Sequence, residues 1–214
     1  SVVFTTSSRD PALRALRDPS RWDAALARYP LVAPWGEGEP ITGVDAIAGI
    51  EDRHRRLVVD DRPVATGVVA VGDAWACTNP SLGRGAAIGL LHACCLRDVL
   101  RDVDPGDPEK LARRFDEATT SVVEPLYRMT LGFDRHRLAE IAGDVDGTPY
   151  VTDDPRWRIG KATFAASLTD PDITRAYGSL VALLVTPDEL FATPGLVDRV
   201  LRLGAGAPRY PLPG

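Results

Sequence analysis

The sequence predicts an α+β chain that is mostly helical, with short sheet segments ahead of a C-terminal helical bundle. Three observations predict it. Short apolar or β-branched runs, VVFTT (2–6), the LVV of residues 57–59 and GVVAV (67–71), fall in the first third. From about Gly85 onward apolar residues recur at three- and four-residue steps, the helical period. Beyond residue 104, Asp107-Pro108, Asp154-Pro155, Asp170-Pro171, Thr186-Pro187 and Thr193-Pro194 each place a capping side chain before a proline, the signature of a helix start. A sheet-containing part, 1–103, and a helical part, 104–214, are the natural division. The second depends on the helix near Gly85–Asp102 for something to cover.

Composition limits the function classes. A net charge of −5 over 214 residues argues against a broad nucleic-acid surface. No apolar run reaches the roughly 18–20 residues that span a bilayer, and no charged-then-apolar leader opens the chain. The three cysteines, Cys77, Cys94 and Cys95, have no metal-ligand spacing, and a reducing cytoplasm is the natural compartment.

In chain order, residues 2–6 read as a strand. Asp10-Pro11 starts a short helix carrying Leu13 and Leu16, which stops before Pro19. Ser20 is expected to cap a second, RWDAALARY, with Asp23 at its third position and Trp22, Leu26 and Tyr29 on one face. Prolines and glycines from Pro30 to Pro40 make a loop. ITGVDAIAGI (41–50) is open between strand and helix. Residues 51–61 read as a strand ending in a turn at Asp60-Asp61. Alternation there would put Arg53 and Arg55 on one face, His54 and Arg56 on the other. These four would contact an anionic ligand or, as a solvated edge, discourage aggregation. GVVAV reads as a strand buried on both faces. The long pattern Leu111, Phe115, Ala118, Val122, Met129, Phe133 contains Pro125, which should kink or interrupt it before an end near Ala142-Gly143. Thr186 with Glu189 forms a capping-box pattern. Gly204 ends the last helix, and 206–214 should be extended.

The stretch from Arg62 to Asp102 organises the rest. A strand, a loop carrying Asp73, and a helix opening on glycines offer unpaired N–H groups and a positive dipole end to an anionic ligand. Gly83-x-Gly85-x-x-x-Gly89 is not the dinucleotide fingerprint, which needs its first glycine directly after the strand. Gly72-Asp73-Ala74, then Pro80, Gly83-x-Gly85 and Gly89, resembles the second flavin motif of the glutathione-reductase-like FAD oxidoreductases, within the aromatic-hydroxylase, geranylgeranyl-reductase and halogenase-like group. The resemblance implies that Asp73 bonds the ribityl hydroxyls of FAD and that Gly72 is part of the same cofactor-binding turn. It sets Pro80 beside the isoalloxazine ring, and the backbone of Gly83, Arg84, Gly85 and Ala86 against its pyrimidine side. Ala76, Ala87 and His92 depart from the pattern, standing where histidine, asparagine and aspartate are usual.

On this resemblance the chain is a C-terminal portion of a two-domain FAD-binding fold. Residues 1–103 would hold partial substrate-domain strands and the second flavin motif, and 104–214 a helical cap. The FAD-dependent oxidoreductase so implied is of monooxygenase or reductase type. It would act on a small organic substrate with NAD(P)H or a separate electron donor. The Gly-x-Gly-x-x-Gly unit for the adenine end and the family's middle Asp-Gly motif are absent, Asp146-Gly147 lying in a plain turn, so the chain alone is expected not to hold FAD. The flavin carries the redox step, and no catalytic acid or base is assigned. His54, His92 and His136 make no metal site; His92 reads best as a helix-contact histidine. Cys77 is a thiol near the flavin or a spectator. Phe115, Tyr127, Phe133, Trp157 or Phe164 would line a substrate cavity, or serve as plain core. No Gly-x-Ser-x-Gly elbow or tryptophan-x-tryptophan motif occurs. The alternative is a non-enzymatic helical interaction domain whose Gly/Asp loop is only a turn.

Overall fold

Most helices begin where a side-chain oxygen replaces the backbone partners that the first turn lacks. The structure, a computed structural model, describes residues 2–6 and 10–205. The chain divides at Ile50 into two units, so the boundary expected near residue 103 falls inside the second. The fold is mostly helical, with two small sheets. The expected tail, 206–214, lies outside the described residues.

In the first unit, helix α1 (Pro19–Leu26) follows a 3₁₀ turn at Ala12–Arg17. Its cap is Asp18, whose carboxylate accepts from Arg21 N, and not the expected Ser20, whose hydroxyl donates to Asp18 at 2.5 Å. Asp18-Pro19 is the same cap-proline pair that starts the later helices, and proline fixes the first turn one residue ahead of Ser20. Leu26 is the buried residue of α1, and Phe4 meets the Trp22 ring edge-on at 5.5 Å. Residues 2–6 are not a strand, for they have no ladder partner, and 41–50 are neither strand nor helix, with Ile41 and Ile47 exposed.

In the second unit the strands are two residues long. Strand β1 (Arg53–His54) is paired antiparallel with β4 (Ala76–Cys77), and β2 (Val58–Val59) with β3 (Arg62–Pro63). Asp60 and Asp61 both have positive φ, which makes the tight turn of that hairpin. GVVAV, expected as a strand buried on both faces, is extended at Val71 but pairs with no strand, and Val68 is exposed. Its side chains are used: Val69 and Val71 pack against one cluster, Ala70 against another.

Helix α2 (Gly85–Asp102) lies against α3 (Pro108–Ala118), which Asp107 caps through Lys110 N. Val99, Val103 and Phe115 form their shared core. Between α3 and α4 (Glu124–Asp146) the chain makes a π-helical turn, Thr119–Val123, directly before Pro125. That is the expected interruption, with the local widening in place of a sharp kink. A second core, Trp75, Ala76, Ile88, Val123 and Tyr127, joins this turn to α2 and β4. Helix α4 runs past the expected end to Asp146. Gly147, in the left-handed region at φ 70°, terminates it, and Thr148 N returns to Gly143 O at 2.8 Å. Asp146-Gly147 is thus a helix cap, not a plain turn.

Helices α5 (Pro155–Ser167), α6 (Pro171–Val181) and α7 (Pro187–Phe191) start at Asp154, Asp170 and Thr186 as their sequences predict, and Thr186 with Glu189 closes the full capping box. Helix α8 (Leu196–Gly204) starts two residues beyond Thr193-Pro194, with left-handed Gly195 at its cap position. Ala166, Ile173 and Val200 join α5, α6 and α8, and Arg199 Nε donates to the α6 cap, Asp170, at 3.1 Å. Among the described residues no helix is long and apolar enough to cross a membrane.

Candidate functional site

The Gly-Asp loop folds into a 3₁₀ turn, Gly72–Ala74, closed by Trp75 N donating to Gly72 O at 2.9 Å. Gly72 has φ 58°, a conformation that a side chain disfavours. The turn sits directly on α2: a Cβ on Gly72 would stand 3.6 Å from the Gly89 Cα. Arg55 braces the turn from behind, its guanidinium donating to the carbonyls of Asp73 (3.3 Å) and Ala74 (3.1 Å).

A second tie comes from inside. Gly72 N donates to His92 Nδ1 at 3.2 Å, which makes that nitrogen an acceptor and places the ring proton on Nε2. Nε2 then donates to Thr119 Oγ1 at 2.9 Å, and Thr119 donates to Phe115 O at 2.7 Å. His92 is fully buried and stacked on Phe115 at 4.9 Å. Burial pushes its pKa below the ordinary histidine value. It is a neutral brace, the helix-contact histidine that its sequence suggests.

The turn and the start of α2 meet at a crevice lined by Gly72, Asp73, Trp75, Ala76, Thr78, Gly85, Ile88 and Tyr127. Of the cofactor-contact residues singled out by sequence, Gly72, Asp73 and Gly85 thus come together. Asp73 is exposed, and among the described residues its carboxylate has no partner. Ile88 N makes the first bond of α2, to Arg84 O, so the N–H groups of Gly85, Ala86 and Ala87 precede the helical ladder. Pro80 opens a 3₁₀ turn, Pro80–Leu82, which left-handed Gly83 (φ 64°) ends; Pro80, Gly83 and Ala86 are exposed outside the crevice lining. Arg84 turns inward instead, with Nη1 3.9 Å from the Met129 sulfur and Nε buried without a hydrogen bond. Burial lowers its pKa from the usual arginine value.

The crevice holds about 10 Å³ of water-accessible space, room for one water and not for a planar ring system. The interior therefore admits neither a ribityl chain nor a flavin ring, and only its rim is open to a larger ligand.

The other candidates disperse. Arg53 pairs with Glu51 at 2.9 Å and Arg56 with Asp116 at 3.0 Å, so they are surface ion pairs. His54, cross-strand from Ala76, packs its ring on Trp75 (5.0 Å) and Tyr127 (5.3 Å). The five aromatics expected around one cavity are spread over separate contacts. Tyr127 lines the crevice, Phe115 a separate shallow groove, Phe133 packs on Trp157, and Phe164 on Tyr177. Cys77, Cys94 and Cys95 are free thiols, and Cys77 is half-buried in β4. Among the described residues no three histidine, cysteine, aspartate or glutamate side chains converge as metal ligands.

Sequence reasoning passed over Trp75, although it lies inside the motif, and Asn79, Asp52 and Asp134. No local pattern links those last three. Compared with known proteins, the chain matches no family model, no curated protein and no solved structure.

Proposed function

We propose that the chain supplies the ribityl and ring-edge contacts of an FAD-dependent oxidoreductase of monooxygenase or reductase type. The observation that carries this reading is the unpartnered Asp73 carboxylate beside the open N-terminus of α2, on the rim of one crevice. Asp73 would accept from ribityl hydroxyls, and the first N–H groups of α2 would face the electron-rich ring edge, where the helix dipole favours negative charge. Pro80 would lie beside the ring. His92 and Arg55 would hold the turn in place. The flavin would supply the redox step, with NAD(P)H or a separate donor as the electron source and a small organic molecule as substrate, in the cytoplasm.

A second reading, a non-enzymatic helical interaction domain, is favoured by the closed crevice and by the exposed apolar residues Leu168 (66%) and Leu184 (76%). The visible absorption spectrum of the protein from its full reading frame, wild type beside Asp73→Ala, separates the two. Flavin bands that weaken at least tenfold in the variant support the first. A protein that stays colourless with added FAD overturns it.

A further inference from the structure

Three polar side chains meet beside the crevice without entering it. Asn79 N donates to Asp52 Oδ1 at 2.9 Å, and Asn79 Nδ2 donates to Asp134 Oδ1 at 2.9 Å. One asparagine therefore holds two carboxyl groups against each other, and Asp52 comes within hydrogen-bonding reach of Asp134. Asp134 is 4% exposed, and among the described residues its buried Oδ2 has no hydrogen-bond partner. Two carboxylates are both acceptors. The contact is satisfied only if one of them carries a proton.

We propose that Asp52 and Asp134 share one proton across the Asn79 clasp, and that its loss loosens residues 51–54 from residues 76–79. Among the described residues no cation is among the groups that act on Asp134. On the approach to β1, Asp52 itself bears on Asp134; Arg53 is tied to Glu51, and His54 lies over Trp75 and Tyr127. On β4, Cys77 stands across the ladder from Arg53. On α4, Arg135 and Arg137 reach Asp154 and Glu140, and Arg84 lies beside Met129 a turn earlier. Burial first, and the Asp52 charge second, push the Asp134 carboxyl up to about 6. Asp134 holds its proton below that and is charged above it. The β1–β4 ladder is short, with registers Arg53↔Cys77 and His54↔Ala76, so repulsion at Asp52 acts directly on it. Ala76 and Thr78 line the crevice, which makes the clasp a pH-dependent latch at its edge.

Carboxyl ¹³C NMR of the folded chain between acid and mildly alkaline pH tests this, with wild type beside Asp52→Asn. The expected result is one aspartate titrating well above the others in wild type. Its midpoint should fall by about one pH unit or more, tenfold in acid dissociation, when Asp52 is neutralised. The Asn79 amide shift should follow the same midpoint. Normal titration of Asp134, or a midpoint unmoved in Asp52→Asn, overturns the proposal. So does a calcium-dependent shift of the Asp134 carboxyl at high pH, which would make the pair a cation site. None of these readouts involves flavin.

Discussion

Replacing His92 should strongly destabilise the second unit, because its buried ring ties the Gly-Asp turn to Thr119. Alanine would remove a fully buried ring that stacks on Phe115 and meets Trp75 edge-on at 5.1 Å. It would also strand Gly72 N–H and leave Thr119 Oγ1 without its donor. A cavity of that size and one orphaned buried donor together cost roughly 3–5 kcal/mol. That is a fall of about 6–20 °C in Tm for a unit of this length. The assay is urea unfolding followed by circular dichroism. The pH dependence supplies a second check, with a definite sign. The folded-state pKa is depressed, so on acidification the unfolded chain takes up its proton first, near the ordinary value of about 6.5. The stabilisation is present above that pH and is lost as pH falls through it toward the folded-state value. His92→Gln, which cannot be protonated, should lack this acid-side loss. A cost below about 1 kcal/mol for His92→Ala, or an unchanged acid-side loss in His92→Gln, would refute the brace.

Asp134 carries the opposite sign. Its carboxyl is raised from 3.8 to about 6, so the folded chain binds the proton more tightly and stability falls as pH rises across that window. Asp134→Asn should therefore be more stable than wild type at pH 8 by on the order of 3 kcal/mol, an advantage that vanishes below pH 4 in paired urea titrations. Gly72→Ala should lose about 1–2 kcal/mol because φ 58° disfavours a side chain. Gly89→Ala, whose Cβ meets the Gly72 Cα at an ordinary 3.7 Å, should be neutral or gain up to about 1 kcal/mol in helix propensity. Equal losses at both positions in thermal melts would contradict this. Gly204→Ala would drive a Cβ to 2.6 Å from the Ala162 backbone and should cost about 1–3 kcal/mol by forcing α8 off α5. An unchanged melting curve would refute that contact.

What the sequence makes legible follows from how local each cause is. Asp107, Asp154, Asp170 and Thr186 cap helices because capping involves neighbours two or three residues on, and Pro125 marks the interruption for the same reason. The Gly72–Ala74 turn and the helix opening at Gly85 were equally readable. Pairing was not. GVVAV and residues 2–6 have strand composition, but apolarity reports burial and says nothing of a partner strand. At the site, Asp73 and Gly85 were visible as motif positions. The Asn79 clasp joins residues far apart in sequence, and no spacing rule reaches it. For Arg84 the motif speaks only of the backbone, and the side chain turns inward beside Met129.

The π turn at Thr119–Val123 works as a phase shifter. Phe115, Thr119, Val123 and Tyr127 repeat every four residues and all face inward. A regular α-helix, at 3.6 residues per turn, would let such a row drift around its circumference. The wider turn absorbs the drift, so the column before it can hold His92 while the column after it presents Tyr127 and Asp134. Removing a single residue from 119–123 would leave the helix content intact, yet rotate everything downstream by about one residue's arc of ~100°. Tyr127 would leave the crevice and Asp134 would leave Asn79 together. The two ends of this helical column are thus geared to each other, and a one-residue deletion would disengage them without unfolding either.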